Sequence, residues 1–214
     1  MNVLLLGPQG SGKGTQARLV AEAYEIPHVG TGDMLREAVA AGDELGRRVQ
    51  PIVERGRLVP DHLMVELIRE RLSREDVRDG FVLDGFPRTL PQAEALDGVL
   101  RELGRELDVV LELQVPEAVS IQRLLERARL EGRPDDTPDG IRTRLALYRD
   151  NTVPLVEYYR ARSILVGIHG DREIQQVFSE IQQAIEQAEA TSRRLDGGSQ
   201  GAEAPALPAP ERET

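Results

Sequence analysis

Cysteine and tryptophan are absent from this chain, and its 27 basic residues include a single lysine, Lys13. The lack of cysteine excludes disulfides and thiolate metal sites, and it accords with a reducing compartment. Aromatic residues make up only 3% of the sequence, so the core must be built from Leu, Val, Ile and Ala, which a 40% hydrophobic content supplies. An excess of positive charge is missing too. A net charge of −10 leaves no basic face for nucleic acid or an anionic membrane, so neither is expected as a partner, although a small basic pocket stays possible. No stretch approaches the length of a membrane span. The opening apolar run, Val3 to Leu6, is too short for a signal peptide and has no basic leader. A soluble, cytoplasmic protein is the expectation.

What is present alternates between short apolar runs and helical periodicity. Val3 to Leu6 reads as a buried parallel strand, followed by a helix from about Lys13 to Tyr24. A helical region from Gly32 to about Arg55 and a helix from Asp61 to Leu72 come next. Gly80 to Asp84 reads as a strand, Leu90 to about Leu103 as a helix, and Val109 to Val115 as a strand, with Pro116 at the favoured start of the helix after it. A long helix is expected from about Pro138 to Arg162, interrupted near Pro154. Ile164 to Ile168 reads as the last strand and Ile174 to about Ala188 as the last helix. Strands separated by helices imply an α/β fold, three layers (α/β/α) around a central parallel sheet, with ligands at the strands' carboxyl ends. The tail 191–214 loses periodicity and fills with Gly, Ala, Pro and Glu, so it is expected to be disordered.

Gly7-Pro8-Gln9-Gly10-Ser11-Gly12-Lys13-Gly14-Thr15 joins the first strand to the first helix. Its glycines let successive N–H groups face one anion at the positive end of a helix. Lys13 would reach the β- and γ-phosphates of a nucleoside triphosphate, and Thr15 would cap the phosphate end. The general phosphate-loop pattern has Ser or Thr directly after the lysine; here Gly14 intervenes. Arginine serves everywhere else, so the position that keeps lysine needs a compact, swivelling ammonium. The loop alone leaves kinases, GTPases and ATPases open. A guanine-reading Asn-Lys-x-Asp segment and a protein kinase's strand lysine both need a second lysine, so those two classes drop out.

Further motifs narrow the choice. Gly-Lys-Gly-Thr-Gln in the loop, Thr31-Gly32-Asp33-Met34-Leu35-Arg36, Arg57-Leu58-Val59, Leu83-Asp84-Gly85-Phe86-Pro87-Arg88, Gln92, Asp135-Asp136 and the Arg-x-Arg at Arg142 to Arg144 occur in order. Together they resemble the adenylate kinase family, from Met1 to about residue 190. The resemblance implies a small helical domain at about 30–59 that closes over a nucleoside monophosphate, and a short lid at about 127–137. It implies ATP and AMP or ADP as ligands, a monomer, and Mg²⁺ carried with ATP and held by Asp84 through water. On the AMP side it assigns Thr31, Gln92 and Arg57 to Val59 to the base and ribose, Arg36 and Arg88 to the phosphate, Gly85, Phe86 and Pro87 to the backbone around them, and Arg133 and Arg144 as further AMP-binding residues. Gly10, Ser11, Gly12, Lys13, Gly14 and Thr15 would cradle ATP. Arg123, Arg127, Arg133 and Arg144 would close on its phosphates and the transferring group, and Gly170 with Arg172 would touch its adenine. Lys13, Asp84, Arg88, Arg127, Arg133 and Arg144 are thus the candidate catalytic set. Long-lid relatives often bind zinc through cysteines; this lid is short and the chain has none, so no zinc is expected. His28, His62 and His169 read as structural. Sister kinases acting on UMP, CMP or GMP, and a non-catalytic ATP sensor, are the competing readings.

Overall fold

The computed structural model describes residues 1–55, 57–131 and 137–197. Five strands, β1 (Asn2–Leu6), β2 (His28–Gly30), β3 (Phe81–Asp84), β4 (Val109–Gln114) and β5 (Leu165–His169), form one parallel sheet in the order β2-β3-β1-β4-β5. Alternation along β1 divides the core in two. Leu4 and Leu6 point to one face, where α4 (Asp61–Leu72), α5 (Leu90–Glu102) and α8 (Val153–Arg160) bring Ile68, Leu72, Leu96, Leu100, Leu155 and Tyr159. Val3 and Leu5 point to the other, against Ala17 and Val20 of α1 (Lys13–Ala23) and Ile181 and Ile185 of α9 (Ile174–Gly197). Three layers result. Each fully buried leucine contributes about 1.5–3 kcal/mol, and those of the central strands fix β1 and β3 as the rigid floor of any site at their ends.

Four local differences from the periodicity have physical causes. The helical region after residue 30 is two helices, α2 (Thr31–Ala41) and α3 (Glu44–Val53). The first stops at Gly42, and the Asp43 carboxylate caps the second by accepting from the Gly46 N–H at 2.6 Å. Strand β2 spans only three residues, too few for a period to register. The Pro154 interruption is a single widened turn over Tyr148–Thr152, between α7 (Pro138–Leu147) and α8. Pro154 has no N–H and its ring crowds the carbonyl four residues back, so the turn before it takes an extra residue. Finally, α9 continues to Gly197 rather than ending near Ala188, because the segment stays rich in helix-favouring Glu, Ala, Arg and Leu after its apolar stripe fades. The remaining helix, α6 (Glu117–Glu131), packs Leu124 against Ile141 and Leu145 of α7. Among the described residues, no helix is long and apolar enough to cross a membrane.

Candidate active site

A cleft of about 380 Å³ opens at the carboxyl ends of β1 and β3, where open parallel sheets place their ligands. The register pairs Leu5 with Asp84, so the end of β3 lies beside the loop that leaves β1. That loop curls under tight constraint. Gly10 has φ 81, and a Cβ there would come within 2.5 Å of the Ser120 carbonyl oxygen of α6, so only glycine fits. The curl turns the Ser11 N–H back onto the Pro8 carbonyl at 3.2 Å and presents Gly10, Gly12, Gly14 and Thr15 to the cleft. Lys13 folds over its own loop, donating from Nζ to the Gly7 and Pro8 carbonyls at 2.7 and 2.8 Å. Burial lowers its pKa to about 8 against the opposing pull of the Asp84 carboxylate, and the cations Arg88 and Arg127 lower it further.

The facing wall is assembled from several segments. The Thr31 hydroxyl donates to the Asp84 carbonyl at 3.3 Å, which ties the start of α2 to the end of β3. Gly85 follows with φ 86, and a Cβ there would meet Thr31 Oγ1 at 2.6 Å. Arg88 is held on three sides. Its Nε donates to the Gly85 carbonyl at 2.7 Å, its N–H donates to Gln92 Oε1 at 2.8 Å, and its carbonyl accepts from the Thr152 hydroxyl at 3.0 Å. Arg36 pairs with Asp33 one turn back on α2. Arg57, Leu58, Val59 and Pro87 also line the cleft, whereas Phe86 turns its ring into the core.

The third wall comes from α6, α7 and the widened turn. Arg123 donates from Nη1 to the Gly170 carbonyl at 2.9 Å and to that of Ser11 at 3.4 Å, clasping the phosphate loop to the end of β5. Arg127, one turn on, and Arg144, only 7% exposed, line the cleft with Tyr148. Burial pushes the Tyr148 phenol up to about 12, helped by the charge of Glu112, so it is a neutral donor. Arg133, Asp135 and Asp136 lie outside the described residues. Ser11 and Gly170 sit behind the cleft surface, and Arg172 is turned away, 3.5 Å from Glu180.

Against the acidity of the chain as a whole, this cleft is cationic. Lys13, Arg18, Arg36, Arg57, Arg88, Arg123, Arg127 and Arg144 line it, against the carboxylates Asp33, Asp84 and Glu131. Such a surface suits two polyanionic ligands. The Asp84 Oδ1 atom is buried with no hydrogen-bond partner among the described residues, and its Oδ2 overlooks the loop, 3.6 Å from where a Cβ on Gly14 would stand. A lone carboxylate over a phosphate cradle fits a hard cation that keeps most of its water. Among the described residues no cluster of three or more His, Cys, Asp or Glu could hold a metal by itself.

Some participants carry no sequence signal. Arg18 lies on the helix after the loop with no motif of its own. Thr152 is hidden inside an apparently continuous helix. Asp61 looks like a helix-starting residue, yet it binds both Thr89 and Gln92. His28 lies 4.0 Å from Asp84, its buried Nε2 has no hydrogen-bond partner among the described residues, and burial lowers its pKa, so it is neutral near pH 7.

Comparison with known proteins adds an independent line. A sequence model of the Adenylate kinase family matches residues 5–164. An adenylate kinase of Kosmotoga olearia is 44% identical, over 87% of this chain and 99% of that protein. One from Xylella fastidiosa is 46% identical over 86% and 99%, and one from Thermobifida fusca 50% identical over 83% and 94%.

Proposed function

The chain belongs to the adenylate kinase family of nucleotide phosphotransferases, and on that premise we propose that it moves the terminal phosphoryl group of Mg-ATP onto AMP, giving two ADP. The observation that carries this is the single cleft in which the phosphate loop with Lys13 faces Arg88 and Gln92 across Asp84. Two anion receptors opening into one space are what direct transfer between two nucleotides requires; a simple hydrolase needs only one.

Neither acceptor nor donor asks for a protein nucleophile, so the residues act by position and charge. The loop N–H groups and Thr15 hold the ATP phosphates. Lys13 leaves the Gly7 and Pro8 carbonyls and swings its Nζ onto the β- and γ-phosphates, keeping its proton there because the phosphate charge opposes its desolvation. Asp84 would hold Mg²⁺ through water, and that ion, when bound, supplies charge neutralisation at the phosphate oxygens. Arg36 and Arg88 grip the AMP phosphate with forked donors. Thr31, Gln92 and the backbone of Arg57 to Val59 face the base and ribose. Arg123, Arg127 and Arg144, with Arg133, neutralise the charge on the ATP phosphates and the transferring group, and the backbone at Gly170 lies on the side of the ATP base. We further propose that the segments at about 30–59 and 127–137 close to exclude water, since an open site would pass the phosphoryl group to solvent.

The test is ADP formation from Mg-ATP offered AMP, UMP, CMP or GMP separately. Rapid turnover with AMP alone is expected, lost without Mg²⁺. Turnover with another monophosphate would overturn the roles given to Thr31 and Gln92. ATP binding by folded protein without any turnover would identify a sensor instead.

A further inference from the structure

We infer that Asp61 is the positioning residue that sets base selectivity, by locking the orientation of the Gln92 amide; the inference rests on the proposal that Gln92 faces the base of the monophosphate.

A glutamine amide carries an acceptor at one end and a donor at the other, and rotation by half a turn exchanges them. This exchange matters for purines. Adenine offers a donor at its 6-amino group and an acceptor at N1. Guanine offers an acceptor at O6 and a donor at N1. An amide free to rotate reads either pattern, and a locked amide reads one.

Gln92 is locked from two sides. Its Oε1 accepts the backbone N–H of Arg88 at 2.8 Å, a group that can only donate. Its Nε2 donates to Asp61 Oδ1 at 2.7 Å, and an ionised carboxylate can only accept. The reversed amide would set oxygen against carboxylate and NH₂ against N–H, two repulsive contacts at a residue only 2% exposed. Asp61 is held in turn. Its Oδ2 accepts from the Thr89 hydroxyl at 3.1 Å, and Thr89 caps α5 by accepting the Gln92 N–H at 3.4 Å. The first residue of α4 and the first turn of α5 therefore form one bonded unit around the amide. After these bonds Gln92 keeps one N–H and one oxygen lone pair, and its side chain borders the cleft. That edge presents a fixed acceptor–donor pair, the complement of adenine's 6-amino group and N1 and the opposite of guanine's edge.

Asp61→Asn keeps the shape of the side chain, but its own amide can offer Gln92 either a donor or an acceptor. The ratio of kcat/KM for AMP over GMP, with Mg-ATP as donor, is expected to fall about tenfold in this variant, while the KM for ATP stays unchanged. A merely structural role would lower both kcat/KM values together and leave their ratio intact. In a Gln92→Ala background, Asp61→Asn should change the ratio no further, because Asp61 acts through Gln92. Should the carboxamide variant not fold, Asp61→Ala is measured in the same way with the same expectation. An unchanged AMP-to-GMP ratio in a folded variant, or an equal fall with and without Gln92, overturns the inference. Failure of the wild type to use AMP would instead overturn the proposed function beneath it.

Discussion

At one end of the cleft a single stretch, Gly7 to Thr15, brings its backbone and the Lys13 ammonium to the space, and it is the proposed cradle for the ATP phosphates. At the other end, the lining residues come from three segments, Thr31 and Arg36, Arg57, and Arg88 with Gln92, and the last pair is held in place by Asp61, Thr89 and Thr152. The first is built on a backbone path that admits only glycine at Gly10, where a Cβ would meet the Ser120 carbonyl of α6. In the second, Arg88 and Gln92 are joined by side-chain hydrogen bonds to elements distant in sequence, Asp61 of α4 and Thr152 of the widened turn. On the proposed function, damage at the loop should abolish the reaction, whereas damage at the proposed monophosphate wall should be graded and confined to one substrate.

The largest expected effect is at the loop. Lys13→Met should slow phosphoryl transfer by at least about a thousandfold, measured as ADP formation under saturating nucleotides. It should not lower thermal stability. The ammonium is desolvated in the fold and its pKa is depressed to about 8 from 10.5. Its charge is thus a cost to folding that is full below pH 8 and fades as pH rises toward 10.5. A large loss of Tm would show that Lys13 supports the fold, which would break the contrast. Across the cleft, Arg88→Ala should raise the KM for AMP about a hundredfold, with the KM for ATP within twofold of the wild type. Equal effects on both nucleotides would place Arg88 between them and erase the separation of the two ends.

The same contrast governs how much could be read in advance. The loop is contiguous, so glycine spacing, strand, helix and the lone lysine are visible together in the sequence. The candidate monophosphate residues were visible only through likeness to a family, because Thr31, Arg88 and Gln92 have no local pattern that points to a ligand. Asp61 and Thr152 escaped both routes. Asp61 has the ordinary look of an acidic first-turn residue, and the bond that gives it meaning spans 31 residues. The sheet was legible from its apolar runs, apart from the three-residue β2. The widened turn at Tyr148–Thr152 was displaced from Pro154 because the proline acts on the carbonyl four residues before it.

A pH series sharpens the comparison, since lysine can lose its charge in a usable range and arginine cannot. With the Lys13 pKa near 8 in the free protein, bound phosphates raise it, so binding above pH 8 must take up a proton. Affinity for ATP, titrated without Mg²⁺, should be flat in this respect near pH 7 and fall about fivefold between pH 8 and pH 9. Calorimetry in two buffers of different ionisation enthalpy should register that proton at pH 8.5. Lys13→Met should show neither effect. An equal pH dependence in the variant would assign the proton elsewhere.

The smallest expected effect tests whether the monophosphate wall is held from behind. The Thr152 hydroxyl donates to the Arg88 carbonyl across 64 residues of sequence, joining the widened turn, and through it the helix that carries Arg144, to the loop that carries Arg88. Thr152→Val keeps the volume and removes that one bond, and it takes this donor from a partly buried carbonyl. The KM for AMP should rise about three- to fivefold, with kcat and the KM for ATP little changed. Thr152→Ser, which restores the hydroxyl, should return the AMP value to that of the wild type. If valine and serine behave alike, the bond is incidental, and Arg88 is fixed by Gln92 and Gly85 alone. If valine raises the KM for both nucleotides, the turn instead couples the two ends, and the division between a self-sufficient loop and a dependent wall is less sharp than the hydrogen bonds imply.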